Sequence, residues 1–90
     1  MSDPLWDVQV APAARRQIDR LPISVAAAVI ETFAAIASNP RRLGKPLRFE
    51  LEGYLSARRG AYRIIYRIND ATRSITVVAV AHRSDIYRPR

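Results

Sequence analysis

Cysteine is absent from this 90-residue chain. That excludes disulfides and thiolate catalysis and suits a reducing compartment. Histidine occurs once, at His82. With no thiol beside it and the acids scattered singly, no ligand set for a metal ion emerges. Ser84, His82 and Asp85 supply the names of a hydrolytic triad, but close neighbours on one short segment point in different directions. Glycine occurs three times, never as the clustered loop that cradles phosphates. No apolar run approaches the roughly 20 residues that span a bilayer. The opening MSDPLWD is acidic and has neither the basic nor the apolar region of a secretion signal. The expectation is a soluble, cytoplasmic chain with no membrane partner, metal or cofactor.

Lysine is also scarce. Lys45 is the only one, and every other cation is arginine. The net charge of +7 is unevenly spread. Residues 1–40 set Arg15, Arg16 and Arg20 against four acids, while residues 41–90 hold twelve cations against Glu50, Glu52, Asp70 and Asp85. Arginine's planar fork suits bidentate phosphate recognition and stacking on bases. An asymmetry of this kind points to nucleic acid or to an acidic protein.

With about half its residues hydrophobic, the chain is expected to form a single domain, residues 1–90, with one modest core. Residues 5–10 alternate as a short strand. Pro12 suits the first turn of a helix that Pro22 ends. Ser24 is the expected N-cap of a second helix over residues 25–38, with Val25, Val29, Phe33 and Ile36 as its buried stripe, widened by Ala26, Ile30 and Ala37. Residues 40–53 read as a loop with two prolines and two glycines. Strands are expected over residues 54–59, 62–68 and 75–82, with short turns that imply antiparallel pairing. The almost wholly apolar ITVVAVAH reads as a central strand covered on both faces. The fold class is therefore α+β, in the order β-α-α-β-β-β: a short strand and a helical hairpin packed on one face of an antiparallel sheet.

Period 2 along the middle strand puts Tyr62, Ile64, Tyr66 and Ile68 on one face and Arg63, Ile65 and Arg67 on the other. Arg58 and Arg59 lie on the neighbouring strand. The end of the last strand, at His82 and Arg83, is expected beside Arg63, with Tyr87 and Arg88 just beyond. Guanidiniums hold phosphates, histidine exchanges protons near neutral pH, and tyrosine offers a ring to a base.

On GKPLRFELEGYLSARRGAYRIIYRIND, the ending HRSDIYR and the order of elements, the chain resembles the RelE/ParE superfamily of type II toxin–antitoxin toxins, specifically its RelE branch. The resemblance implies a RelE-like fold and an endoribonuclease that cuts mRNA in the ribosomal A site and inhibits translation. In that reaction a ribose 2′-hydroxyl attacks the adjacent phosphate. It also implies site residues: Arg63 as the phosphate-stabilising arginine, Arg83 as the last-strand arginine, Tyr87 as the tyrosine that orients or stacks on the base, and Arg58 at a basic position. Arg59 and Arg67 extend that basic face, and Lys45, Arg48, Arg41 and Arg42 fit a wider grip on ribosomal RNA. Studied members carry lysines on the strand before the hairpin turn, where this chain has Tyr54 and Ser56. Either His82 takes over proton transfer or cleavage leans on positioning by the ribosome. The implied partners are a cognate RelB-like antitoxin with an acidic, partly disordered segment, the ribosome with mRNA, and operator DNA only through the antitoxin complex. The mobile C-terminal helix of some members is not expected after Tyr87. The superfamily's other activity, a ParE-like block of DNA gyrase without nuclease chemistry, is the alternative.

Overall fold

The computed structural model describes residues 5–86. Strand β1 (Asp7–Val10) leads into helix α1 (Pro12–Asp19), with Pro12 in the first turn, where its missing N–H is not needed. Helix α2 (Ile23–Ser38) follows. It starts two residues earlier than the expected cap implied: Pro22 occupies the N-cap and Ser24 lies inside the helix without capping it. Val29, Ile36 and Ala37 are buried on α2, and Val25 and Phe33 pack beside them. Ile30 does not widen the stripe; it is 54% exposed, on the outer side with Ile23.

The expected loop after α2 is more structured than its prolines and glycines implied. It holds the one-turn helix α3 (Pro40–Leu43), the two-residue strand β2 (Lys45–Pro46) and a 3-10 turn, Phe49–Leu51. Strands β3 (Leu55–Arg59), β4 (Tyr62–Asn69) and β5 (Ser74–His82) then form a meander, and helix α4 (Arg83–Ile86) closes the described chain. Gly60, at φ +60°, makes the two-residue β3–β4 turn, because the first position of such a turn needs a positive φ that matches the strand twist.

The sheet order is β1-β5-β4-β3-β2. It is not wholly antiparallel: β1 runs parallel to β5, with Val10 opposite Val77. Alternation within β1 carries no direction. The helical hairpin sets it by taking the chain from one sheet edge across a face to the other, where β2 begins. Between β4 and β5 the register passes from Ile65 opposite Ala79 to Tyr66 opposite Val77, so Val78 bulges out unpaired. Past the end of β1, the Val80 N–H donates to the Gln17 side-chain oxygen of α1 at 2.7 Å. A helix side chain thus replaces a missing strand.

The core lies between the helices and one sheet face: Ala14, Val29, Ile36, Ala57, Ile64, Tyr66, Ile75, Val77 and Val80. Tyr66 is fully buried, and its hydroxyl donates to the Pro40 carbonyl. Burial pushes its phenol up to about 12. A Cβ at Gly44 would lie 2.7 Å from the Tyr66 Cζ, so only glycine lets the chain pass that ring. Arg41 adds a two-pronged ion pair with Asp70, at 3.0 and 2.8 Å. This hydrogen-bonded guanidinium holds the Asp70 carboxyl below its ordinary range, and Arg41 is thereby engaged within the fold. β5 is buried on the helical side only; Thr76, Val78, Ala79 and Ala81 are half-exposed, because no second layer covers the far face. Among the described residues, no helix is long and apolar enough to cross a membrane.

Candidate phosphate-binding face

The uncovered face follows from strand parity. Side chains directly opposite one another across a ladder project from the same side. Lys45 pairs with Ser56, Ser56 with Ile65, and Arg58 with Arg63. Arg63 pairs with Ala81 and Arg67 with Thr76, which pairs in turn with Gln9. The face away from the helices therefore carries Lys45, Ser56, Arg58, Arg63, Ile65 and Arg67 across three strands. Ile65 is only 4% exposed, an apolar floor between two guanidiniums.

Lys45, Ser56, Arg58 and Arg63, with Leu43, Pro46 and Leu47 as walls, line one cleft of about 330 Å³. Two side-chain atoms there, Arg63 Nη1 and Ser56 Oγ, are buried with no hydrogen-bond partner among the described residues. Such atoms cost roughly 1–3 kcal/mol each when left unsatisfied. Arg58 is exposed, its Nε donating to the Gly60 carbonyl at 3.4 Å. The chemistry on offer is anion binding by several N–H donors and one hydroxyl.

Arg67 opens instead into a second, polar recess with Gln9, Asn69, Asp70, Ser74 and Thr76. It shares a strand face with Arg63 but stands four residues away, about 13 Å at strand rise. The Arg83 N–H donates to the Ala61 carbonyl at 2.8 Å. That continues the β4–β5 register and keeps Arg83 at the hairpin end, two positions from Arg63. Arg48 is exposed just before the 3-10 turn.

Two of the expected residues lie elsewhere. Arg59 pairs with Tyr62 on the helical side, its guanidinium 3.7 Å from Glu31 of α2. His82 also pairs with Tyr62; their rings meet edge to face at 5.5 Å and 84°. The Ser84 N–H donates to His82 Nδ1 at 3.3 Å, and the Ser84 hydroxyl lies 2.9 Å from the same nitrogen. Adjacent strand residues face opposite ways, so Ala81, not His82, is beside Arg63. Tyr87 and Arg88 lie outside the described residues. Among the described residues, no cluster of His, Asp or Glu could hold a metal ion.

Nothing in the sequence ties Gln9 and Thr76 to Arg67; Thr76 meets it across the β4–β5 ladder, and Gln9 only through the parallel pairing of β1. Ser56 stands where studied members carry a lysine, and its hydroxyl is one of the two buried atoms with no partner among the described residues.

Comparison with known proteins gives a consistent set of matches. The family model described as "ParE toxin of type II toxin-antitoxin system, parDE" matches residues 8–87. Toxin RelG of Mycobacterium tuberculosis is 46% identical over 84 residues, 92% of this chain and 97% of that toxin. Toxin RelE of the same organism is 45% identical over 84 residues, 92% of this chain and 87% of that toxin. A chain in the crystal structure of the M. tuberculosis toxin–antitoxin complex RelBE2 is similar at a TM-score of 0.83 and 43% identity, covering 87% of this chain and 98% of that one.

Proposed function

The chain belongs to the ParE/RelE family of type II toxin–antitoxin toxins, and from that premise we propose that it is a ribosome-dependent endoribonuclease that cuts mRNA in the ribosomal A site. The observation that carries this reading is the cross-strand pair Arg58–Arg63 over a cleft in which a buried guanidinium nitrogen has no partner among the described residues. The ribose 2′-oxygen attacks the adjacent phosphorus, a 2′,3′-cyclic phosphate forms, and the 5′-oxygen of the next nucleotide leaves. Negative charge grows on the non-bridging oxygens, where preorganised N–H donors of Arg63 and Arg58 stabilise it most. Arg83, at the end of the same face, extends the grip, and Tyr87 supplies the ring that orders the base.

Among the described residues, none that lines the cleft is a carboxylate or an imidazole, and His82 faces the helices. Cleavage on this reading leans on ribosomal positioning of the 2′-hydroxyl, which is worth several powers of ten by itself; the 2′-hydroxyl proton passes to solvent or to a ribosomal group, and the departing 5′-oxygen takes one up from the same sources. Arg67, Lys45 and Arg48 add electrostatic attraction to RNA.

The remaining partner is an antitoxin. The similar RelBE2 chain comes from a toxin–antitoxin complex. Ile23 and Ile30 on the outer side of α2 offer it an apolar track on the helical layer, across the sheet from the basic face. Residues 1–90 act as a single domain, with operator DNA reached through the antitoxin.

The test is purified chain, freed of antitoxin, added to translating ribosomes and, separately, to a gyrase supercoiling assay. Codon-positioned cuts in mRNA with supercoiling intact are expected. Loss of supercoiling with uncut mRNA would sink the reading.

A further inference from the structure

We propose that Lys45, Ser56 and Arg63 form one phosphodiester pocket, in which the Lys45 ammonium lies against the non-bridging oxygens. Naming that phosphate as the scissile one rests on the function proposed above; the pocket itself does not.

Three observations converge. Lys45, the chain's only lysine, comes from the edge strand β2 and stands directly opposite Ser56. Facing residues have Cβ atoms about 5 Å apart on the same side. Ser56 is one diagonal step from Arg63, since Ser56 pairs with Ile65 and Arg58 with Arg63, a spacing within reach of long side chains. The three residues line the same cleft of about 330 Å³, at the small end of ligand-sized clefts.

The second observation is the pair of buried atoms with no partner among the described residues, Ser56 Oγ and Arg63 Nη1. A phosphate oxygen accepts from both a hydroxyl and a guanidinium N–H, which removes both desolvation penalties together.

The third is that Lys45 is held in place although its side chain is exposed. On one side Gly44 is wedged against Tyr66. On the other, Pro46 fixes its own φ and the Leu47 N–H donates to the Tyr54 carbonyl at 2.9 Å. Only side-chain torsions separate the ammonium from the cleft, so binding costs the rotamer freedom of one side chain and no ordering of the backbone.

A single lysine gives a single lysine resonance, so the untagged full chain with ¹³Cε-labelled lysine reports on Lys45 alone. The probe is a 2′-O-methyl RNA trinucleotide, whose methylated 2′-oxygen cannot attack. A saturable shift of the Lys45 signal is expected, abolished in Arg63→Gln. In ribosomal cleavage, Lys45→Gln should lose about 100-fold in rate, while Lys45→Arg keeps most of it and both variants melt like the parent chain. A silent Lys45 signal overturns the pocket, as does a shift produced by a polyglutamate peptide and not by the trinucleotide. Full cleavage by Lys45→Gln removes Lys45 from the reaction and leaves the endoribonuclease reading intact. An Arg63-dependent shift in a chain that cuts no mRNA does the reverse: the pocket stands and that reading falls.

Discussion

Arg58 and Arg63 stand directly opposite each other across β3 and β4. Like charges in that relationship repel, and a cross-strand pair of them opposes folding by a few tenths of a kcal/mol. Here one of the two also buries a guanidinium nitrogen with no partner among the described residues. Local stability has been given up on this face, as expected where an anion supplies the missing partner.

That cost predicts a gain on removal. Arg63→Leu relieves the repulsion and deletes the buried donor, so stability should rise by roughly 1 kcal/mol. Cleavage on translating ribosomes should fall by about 100-fold or more. Urea denaturation beside a cleavage assay measures both. A variant that is less stable and still active would show that Arg63 is a structural residue.

The neighbours His82 and Arg83 should behave oppositely. His82→Gln should leave cleavage within about twofold, because the imidazole faces Tyr62 and Ser84 on the helical side and makes no transition-state contact. Arg83→Ala should relieve growth arrest while leaving the fold intact. A large loss of cleavage in His82→Gln with an unchanged melting temperature would bring the imidazole back into proton transfer.

Tyr66 sets an alkaline limit on stability. Its phenol is held near 12 in the folded chain and titrates near 10 when unfolded. The folded state therefore keeps a proton that the unfolded chain releases between these values. The contribution is complete below about pH 10 and is lost as pH rises towards 12, amounting to roughly 2–3 kcal/mol. Unfolding free energies from pH 8 to pH 11.5 should show the decline. Tyr66→Phe should flatten it, at a cost of about 1–2 kcal/mol at neutral pH because the Pro40 carbonyl loses its donor.

Phe49 is 90% exposed and sits at φ +60°, where a β-carbon crowds the following carbonyl. Phe49→Gly should stabilise the chain by about 1 kcal/mol, since glycine adopts that conformation freely and almost no packing is lost. Thermal melting checks the sign; a lower melting temperature would mean that the ring packs in solution.

Much of this protein was legible from the residues alone. Two-residue alternation on β4 divides Arg63 and Arg67 from Ile64 and Tyr66 because strand side chains must alternate. Proline positions bound both main helices, because proline lacks the N–H a helix interior needs. The toxin family was legible too, through the GAYRIIYRI strand and the HRSDIYR ending. What periodicity cannot encode is direction, register and which face a strand end presents. The parallel seating of β1 on β5, the bulge at Val78, and the turning of Arg59 and His82 towards the helices all depend on contacts between distant segments. Ser24 illustrates the same limit at one residue: a good capping residue was passed over because the turn at Pro22 sets the helix start. The resemblance proposed cations for the phosphate face; only the β2–β3–β4 ladders bring three of them, Lys45, Arg58 and Arg63, to one cleft with Ser56.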